Sequence, residues 1–444
     1  MRFHLSMIFT IFVGHLLAMD GGIDHALVSL YVVQCDTGKV LVDQNSDLSL
    51  IPASCMKVVT TAAALQLLGT HYRFETHLAY DGFIDHTQTL RGNLYIQGGG
   101  DPCLGSERIS SALSWKKQIE LWADEIQRIG IQKIEGRVIG DDTKWEKARA
   151  VPSWLWEDLG NYYGAGASAL SFHENTYSLF LKPGDQVGED AAILYVDPPL
   201  PTLLLQNEVK TGPQDSGDCA CIYGAEFIST QFIRGTIPAG VEAFVIKGAI
   251  PDPATTCVDL LVKELSSRGI TVEQKPLRPQ NKRACFHVTY SPTIGEIVYQ
   301  TNQKSINLYA EHLLKKMGEV MFCEGSTSAG VKAVTYLWKS QGIDLSGFNM
   351  ADGSGLSSKN LITTKQLVEI LLNIKKADYF PVFFASLPQK SDQVRGKSGS
   401  LSLVNGYAGY AGNTAFAILI NHCPDRQKMK QAIDLFLLKT NEQS

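Results

Sequence analysis

A serine and a lysine separated by two residues are the clearest chemical feature of this chain. Ser54 and Lys57 lie in a stretch that begins at Ile51-Pro52 and continues as the small and apolar run 58–68. Proline is favoured in a first helical turn, so the stretch predicts a helix with both side chains on one face. That first turn also offers unpaired backbone N–H groups and partial positive charge. A hydroxyl beside an amine, with N–H donors for an oxyanion, can perform acyl transfer through a serine ester.

The same spacing recurs at Ser114 and Lys117, in a polar helix that provides no buried setting. A bare Ser-x-x-Lys match more often marks a solvated helix surface than a reactive site, so the motif needs support from elsewhere. Two later groups give that support to Ser54. Ser305-Ile306-Asn307 stands where a helix begins, and Lys397-Ser398-Gly399 begins a late strand.

Two other literal matches lack the order and setting that this trio has. Ser358-Lys359-Asn360 is a second Ser-x-Asn, and Lys210-Thr211-Gly212 is a literal Lys-Thr-Gly, which we place in an inserted loop. The Ser54, Ser305 and Lys397 groups alone follow the order helix start, helix start, late antiparallel strand. They form the motif set of penicillin-binding proteins and serine β-lactamases.

Composition and charge describe an ordinary globular protein. The 444 residues allow two or three domains, and 44% are hydrophobic and 19% charged. A formal net charge of −5 argues against nucleic acid as a partner. Nine cysteines leave at least one thiol unpaired in a monomer, and the sequence does not predict their pairing. Cys219-Ala220-Cys221 has no histidine at a ligand spacing, so we expect no metal site and no cofactor.

Residues 1–18 resemble a secretory signal peptide. A mostly apolar run from Leu5 to Ala18 follows Arg2, which suits an exported protein with cleavage after Ala18. An uncleaved anchor or a buried first strand is the alternative, and the sequence does not decide the fate of the segment. We expect a location in the periplasm or cell envelope, with or without membrane association.

The rest of the chain reads as strands at both ends with helices between them. Apolar runs at 25–34 and 39–43 predict a hairpin, and 399–404, 406–411 and 414–421 predict a meander with turns at Asn405-Gly406 and Gly412-Asn413. Helices are predicted at 118–128, 293–299, 305–317, 330–341, 365–375 (capped by Thr363 or Thr364) and 427–438, and further strands at 94–96, 137–140 and 243–247.

These elements predict an α+β multidomain protein. The first hairpin would join the final meander in one antiparallel sheet flanked by helices, built from 19–79 and 288–444. The resemblance of the three motifs to those of penicillin-binding proteins implies that this is a β-lactamase/transpeptidase-like domain. Residues 80–287 would form a large, mostly β insertion of one or two small domains.

The chain resembles the D-alanyl-D-alanine carboxypeptidase/endopeptidase family known as penicillin-binding protein 4, the class C low-molecular-weight type (peptidase family S13). The resemblance spans nearly the whole mature chain, including about 250 residues between the first two motifs. Beyond the three motifs it rests on these stretches: Gly100-Asp101-Pro102, Val138-Ile139-Gly140-Asp141-Asp142, Trp154-Leu155-Trp156-Glu157-Asp158, Tyr163-Gly164-Ala165, Asn307-Leu308-Tyr309-Ala310-Glu311 and Asp352-Gly353-Ser354-Gly355-Leu356-Ser357.

The resemblance implies a role for each motif residue. Ser54 would attack the carbonyl between two D-alanines, Lys57 would take its proton, and Ser305 would pass a proton to the leaving amine. Asn307 would orient Lys57 and the substrate amide. Lys397 and Ser398 of the Lys397-Ser398-Gly399 strand would bind the terminal carboxylate, and the backbone N–H groups of Ser54 and Ser400 would form the oxyanion hole. The expected partners are peptidoglycan stem peptides, with β-lactams as acylating inhibitors.

The resemblance also implies a subsite and shows departures from the family pattern. Asp158 and Tyr163 resemble the subsite for the amino group of the peptide's diamino acid; the alternative is a helix-turn carboxylate and a core aromatic. Ser398 replaces the usual threonine, Ile306 is apolar where Asp or Asn is common, and Ser358 stands where an arginine is frequent. We expect Cys55, beside the nucleophile, to be buried and inert.

Two other functions stay open on the sequence. A binding protein that keeps this fold without turnover is one, and intact Ser54, Lys57, Ser305, Asn307 and Lys397 weigh against it. A serine β-lactamase is the other, and no carboxylate is placed by sequence to activate a deacylating water. The sequence does not separate carboxypeptidase from endopeptidase activity, identify the preferred stem peptide, or predict the oligomeric state.

Overall fold

The computed structural model describes Ile23 and residues 25–280 and 282–441. The proposed signal segment lies outside these residues. The chain divides into two compact units. One comprises the described residues up to Tyr72 together with those from Ile294 onward, and the other is Arg73–Thr293.

The described residues form strands with the following bounds in chain order: β1 (Leu27–Gln34), β2 (Val40–Gln44), β3 (Glu75–Tyr80), β4 (Phe83–Ile84), β5 (Thr89–Arg91), β6 (Leu94–Gln97), β7 (Lys133–Ile134), β8 (Val138–Asp141), β9 (Thr176–Lys182), β10 (Ala192–Asp197), β11 (Leu204–Gly212), β12 (Cys219–Tyr223), β13 (Thr230–Pro238), β14 (Phe244–Ala249), β15 (Thr271–Val272), β16 (Ala284–Tyr290), β17 (Val394–Leu401), β18 (Val404–Ala411) and β19 (Thr414–Asn421).

The same residues form α-helices with these bounds: α1 (Met56–Leu68), α2 (Trp115–Arg128), α3 (Trp156–Leu159), α4 (Pro253–Ser267), α5 (Ile294–Lys304), α6 (Asn307–Phe322), α7 (Thr327–Ser340), α8 (Thr364–Ile374), α9 (Phe380–Ser386) and α10 (Arg426–Asn441). Short 3₁₀ turns occupy Ala53–Cys55, Tyr162–Gly164 and His173–Asn175. No helix in the described part of the chain is both long enough and apolar enough to cross a bilayer.

The unit that contains both ends of the described chain is built on a five-stranded antiparallel sheet with the order β17-β18-β19-β1-β2. The predicted union of the first hairpin with the last meander is therefore confirmed. Helix α10 packs its buried Met429, Ile433 and Phe436 on one face of this sheet. Helix α8 lies against the sheet as well, where the Tyr410 hydroxyl donates to the Leu371 carbonyl at 2.7 Å.

Helix α1 is the central helix of this unit. Every residue from Met56 to Leu65 is buried, because the run is small or apolar on all sides. Gly69 ends the helix with φ +85°, a conformation that costs glycine little, and its N–H donates to the Leu65 carbonyl. The predicted helix is confirmed, although Ser54 itself lies in the 3₁₀ turn that precedes it.

One predicted turn of the meander is wrong. Strand β17 begins at Val394, earlier than predicted, and the first turn lies at Ser402-Leu403 instead of Asn405-Gly406. Asn405 and Gly406 pair within the ladder, opposite Ser400 and Gly399. The turn places Leu403 at φ +61°, a conformation that is uncommon for leucine and that the sequence does not signal.

In its described residues, the Arg73–Thr293 unit contains four small sheets and two hydrophobic cores. The sheets have the orders β16-β3-β6-β8, β15-β7-β5-β4, β10-β9-β14 and β11-β13-β12. Helices α2 and α4 bury Trp122 and Leu261 in the larger core. The second core lies among β9 and β11–β14, with Leu179 and Ile233 fully buried.

Candidate active site

Ser54 is presented by a sharp turn at the start of a buried helix. The 3₁₀ turn places Ala53 at φ +47°, and the partly exposed Ser54 follows it directly. Gly355 lies against this turn so closely that a Cβ there would be 1.8 Å from the Ala53 carbonyl oxygen. Only glycine allows that approach. The hydroxyl therefore sits at the open end of an otherwise buried element.

Lys57 is fully buried and its amine is held by three oxygens. The Nζ atom lies 3.0 Å from Ser54 Oγ, 2.6 Å from Asn307 Oδ1 and 2.6 Å from the Ser354 carbonyl oxygen. The amide and carbonyl oxygens can only accept hydrogen bonds, so they take both N–H groups of a neutral amine. The remaining lone pair then faces the Ser54 hydroxyl, which is the geometry of a general base beside its nucleophile.

The environment of Lys57 favours this neutral amine. Burial is the largest cause that holds the pKa of Lys57 well below its ordinary value, and the Lys397 cation lowers it further. The carboxylates of Asp352 and Glu311 oppose the shift, since nearby negative charge favours the ammonium form. The net effect lowers the pKa of Lys57, which makes the neutral amine easier to form.

A second lysine and serine pair completes the cluster. Lys397 on β17 donates from Nζ to Ser305 Oγ at 2.9 Å and to the Ser398 carbonyl at 2.8 Å. Ser305 occupies the short gap between α5 and α6 with φ +56°. Burial lowers the pKa of Lys397 to about 8. The structure thus brings these residues into a network of two hydrogen-bonded groups, Ser54–Lys57–Asn307 and Ser305–Lys397. The charge of Lys397, which acts on Lys57, links the two groups.

Strand β17 passes directly over the nucleophile turn. A Cβ on Gly399 would lie 2.4 Å from the Pro52 carbonyl oxygen and 2.9 Å from Ser54 N. The strand is at the sheet edge, and Gly396 N–H points away from the sheet to the Pro388 carbonyl at 3.0 Å. Because alternate residues of a strand share a direction, Ser400 N–H belongs to the same free edge.

The side chains of Ser398 and Ser400 lie on the opposite face of β17 from Lys397. Both are exposed, whereas Lys397 and Gly399 are buried. They line a cavity of about 400 Å³ between β17, β18 and α10. The role of the Ser398 hydroxyl in carboxylate binding thus stays a prediction, and it would have to act at the strand edge.

Cys55 is buried, as predicted. Its side chain is inaccessible, and its thiol donates to the Lys397 carbonyl at 3.3 Å. Burial raises the pKa of Cys55 to about 12, so its thiolate is scarce at neutral pH. The cysteine next to the nucleophile is therefore a packing residue.

Asp158 and Tyr163 lie in the Arg73–Thr293 unit. Asp158 is nearly buried and accepts the Leu155 N–H at 3.0 Å, which closes the first turn of α3. Burial raises the pKa of Asp158, and it raises the pKa of Tyr163, with the Asp158 charge adding to the second shift. The two side chains are neighbours within this unit, and their part in a subsite stays a prediction.

The decoy motifs have structural settings of their own. Ser114 is the N-cap of α2 and its hydroxyl accepts the Lys117 N–H at 3.4 Å. The prediction that Lys210-Thr211-Gly212 lies in a loop is wrong. These residues end strand β11, which pairs in parallel with β13 over its whole length, and Thr211 is buried. Asn360 of the Ser358 motif donates to Asp352 Oδ1 at 2.8 Å.

The acceptor opposite Lys57 is not predicted by the sequence. The Ser354 carbonyl and the side chains that hold its loop, Glu311 and Asp352, were part of the family resemblance but received no role. A signal was present, because Glu311 follows Asn307 by one helical turn and therefore shares its face. Within the described residues, no three His, Cys, Asp or Glu side chains are grouped as a metal site would require.

A hydroxyl held beside a buried neutral amine, at the junction of a helix and an antiparallel edge strand, defines a serine acyl-transfer enzyme. Comparison with known families gives the same class. The model of the D-Ala-D-Ala carboxypeptidase 3 (S13) family matches residues 15–440. The chain belongs to this family, which makes it a serine-type hydrolase.

Known relatives and solved structures agree with that membership. A D-alanyl-D-alanine carboxypeptidase from an Actinomadura species is 27% identical over 443 residues, covering 90% of this chain and 79% of the relative. The crystal structure of penicillin binding protein 4 (dacB) from Haemophilus influenzae superposes with a TM-score of 0.82 at 22% identity, covering 97% of this chain and 99% of that one. The same protein complexed with a novel β-lactam gives a TM-score of 0.74 at 21% identity, with 96% and 98% covered. The predicted family and fold class are confirmed.

Proposed function

We propose that this chain hydrolyses D-Ala-D-Ala peptides of peptidoglycan through an acyl-enzyme on Ser54, as a D,D-carboxypeptidase, a D,D-endopeptidase or both. The observation that carries the proposal is the 3.0 Å approach of Lys57 Nζ to Ser54 Oγ, with both amine N–H groups taken by Asn307 and Ser354. The name of the family and of its carboxypeptidase relatives supports the choice of substrate.

Each motif residue has a role in this reaction. Lys57 takes the proton of Ser54 as its Oγ attacks the carbonyl between the two D-alanines, and the backbone N–H groups of Ser54 and Ser400 stabilise the oxyanion. Ser305 gives its hydroxyl proton to the leaving D-alanine amine, and the proton that Lys57 took from Ser54 then restores the Ser305 hydroxyl and the neutral Lys57 amine. Asn307 orients Lys57. Water then cleaves the ester, which frees the shortened peptide and restores the serine.

Lys397 and Ser398 serve substrate recognition. The Lys397 ammonium attracts the terminal carboxylate of the substrate, and Ser398 supplies a hydroxyl at the edge of β17, along which the substrate lies in an extended form. Asp158 and Tyr163 would bind the amine of the peptide's diamino acid. A β-lactam carries a carboxylate and a strained amide in the same relation, so it acylates Ser54 and stays there.

The proposed setting is the periplasm or cell envelope, reached by means of the N-terminal signal segment. The proposed domain organisation is a serine-peptidase domain, predicted at 19–79 and 288–444, interrupted by an insertion predicted at 80–287. Both follow from the sequence, and peptidoglycan is accessible to an enzyme in that compartment. We extend the insertion to Arg73–Thr293, because β3 and β16 pair with each other inside that compact unit.

Release of D-alanine from a pentapeptide is the direct test. Wild-type protein should release it, Ser54→Ala should not, and Ser114→Ala should retain full activity because Ser114 only caps α2. A wild-type protein that binds the peptide without releasing D-alanine would favour a binding protein. Digestion of cross-linked muropeptides followed by mass spectrometry would then separate endopeptidase from carboxypeptidase activity.

The lifetime of the penicillin adduct tests the alternative that this protein is a serine β-lactamase. Fast deacylation needs a general base that activates water, such as a carboxylate. The two carboxylates whose charges act on Lys57, Glu311 and Asp352, accept backbone N–H groups instead. We therefore expect an adduct that persists for many minutes. An adduct that turns over within seconds would contradict that expectation.

A further inference from the structure

A short loop provides the carbonyl that orients Lys57. The loop, Asp352–Ser357, is held from beneath by two buried carboxyl groups. Glu311 accepts the Gly353 N–H at 3.1 Å and the Ser354 N–H at 2.7 Å. Asp352 accepts the Gly355 N–H at 2.7 Å and the Ser357 N–H at 2.6 Å. Four successive or nearly successive backbone donors are thereby directed inward, which turns the Ser354 carbonyl toward the amine.

The same loop is fastened to the nucleophile helix. Thr60 on α1 donates from its hydroxyl to the Gly353 carbonyl at 2.7 Å, and Gly355 touches the Ala53 carbonyl that precedes Ser54. The loop therefore contacts both α1 and the turn that precedes Ser54. A shift of the Ser354 carbonyl would change the positions of both Lys57 and Ser54.

Two residues on one face of helix α6 act on Lys57, one directly and one through the loop. Asn307 accepts from Lys57 directly, and Glu311, one turn later, acts on the same amine through Ser354. Burying two carboxyl groups close together costs free energy, so their presence beneath a reactive amine suggests that they have a function there.

We propose that Glu311, together with Asp352, is a positioning residue for the general base. It fixes the loop so that the Ser354 carbonyl takes one N–H of the neutral Lys57 amine and leaves the lone pair aimed at Ser54 Oγ. This inference rests on the proposed role of Lys57 and adds a role for residues that have none so far.

The charges of Glu311 and Asp352 have a second measurable effect, which is on the pKa of Lys57. The charged or titratable groups around Lys57 are Lys397 on β17, Asp352 in the loop, Glu311 on α6 and Cys55 in the 3₁₀ turn. Burial, followed by the charge of Asp352, raises the pKa of Glu311 to about 7, against the backbone N–H groups that favour its ionised form. Above about pH 7, where Glu311 is ionised, its charge raises the pKa of Lys57, so removing that charge lowers the pKa of Lys57.

The test is the pH profile of acylation by a chromogenic cephalosporin, with Glu311→Gln against the matched control Glu319→Gln on the same helix. Glu319 pairs with Lys316 and lies outside the network. A glutamine presents one N–H₂ group where the glutamate accepted a backbone N–H. We expect the plateau rate to fall about tenfold or more, with the acid limb moved to lower pH. Glu319→Gln should follow the wild type.

Thermal melts keep a folding defect separate from a positioning defect. If Glu311→Gln does not fold, Asp352→Asn tests the same point, because it removes the other carboxylate that opposes the Lys57 shift. Folded variants with unchanged plateau and limb, or with a limb moved to higher pH, would overturn the inference. Wild-type protein that does not react at all would instead contradict the proposed function.

Discussion

Lys397 Nζ lies 2.9 Å from Ser305 Oγ, and this pair repeats the relation between Lys57 and Ser54 within one site. The pKa of each amine is lowered, but by different causes. Burial and the neighbouring cation hold the pKa of Lys57 well below its ordinary value, whereas the pKa of Lys397 is lowered by burial to about 8. Near neutral pH, one lysine is therefore suited to act as a base and the other as a cation.

The first prediction concerns the alkaline limb of activity. Lys397 loses its charge as the pH rises through about 8, so capture of a peptide carboxylate should weaken above that pH. The measurement is kcat/KM for a D-Ala-D-Ala peptide across the alkaline range. A guanidinium stays protonated there, so Lys397→Arg should flatten this limb even if its overall activity is lower. An unchanged limb in that variant would assign it to another group.

The second prediction concerns the base. Lys57→Arg keeps a cation but cannot provide a neutral amine, so acylation should slow by about a hundredfold or more. The rate of reaction with a chromogenic cephalosporin measures this effect. Lys117→Arg, in the decoy Ser-x-x-Lys motif, should react at the wild-type rate. Full activity in Lys57→Arg would show that Lys57 does not act as the base.

The third prediction concerns the contact of β17 with the nucleophile turn. In Gly399→Ala the new methyl would lie 2.4 Å from the Pro52 carbonyl oxygen and 2.9 Å from Ser54 N. We expect a loss of about 1–3 kcal/mol in the free energy of unfolding and a large loss of acylation, since the strand must move away from Ser54. Denaturant unfolding and acylation rates report the two effects. Ser402→Ala, in the exposed turn of the same hairpin, should change neither.

A fourth prediction concerns thiol reactivity. Cys55 is inaccessible and burial raises its pKa to about 12, whereas Cys219, Cys285 and Cys323 are exposed. Iodoacetamide should label the exposed thiols of the native protein and spare Cys55, which should react only after unfolding. Peptide mapping by mass spectrometry distinguishes the sites. Rapid labelling of Cys55 in folded protein would mean that the nucleophile turn opens to solvent.

Wherever side-chain chemistry carries the information, the sequence predicts site residues that the structure brings together. Ser54, Lys57, Ser305, Asn307 and Lys397 could be selected because each type and each setting is required by the reaction. The acceptor at Ser354 could not be found in this way, since a backbone carbonyl has no residue-specific signature and depends on the loop conformation that Glu311 imposes.

The same limit explains the misplaced elements of the fold. Glycine and asparagine at 405–406 indicated a turn, but cross-strand pairing continues through them and Leu403 adopts the left-handed conformation instead. The strand that contains Lys210 is exposed along much of its length, so it lacks the hydrophobic signal of a strand, and its parallel partner β13 begins only at Thr230. Strand pairing, and not the preference of single residues, decided both cases.

The most direct test of the central claim is the position of the acyl group. After reaction with benzylpenicillin, proteolysis and mass spectrometry should locate a single penicilloyl adduct on Ser54, and Ser54→Ala should acquire none. An adduct on another serine, or no adduct on a folded wild-type protein, would contradict the assignment of Ser54 as the nucleophile.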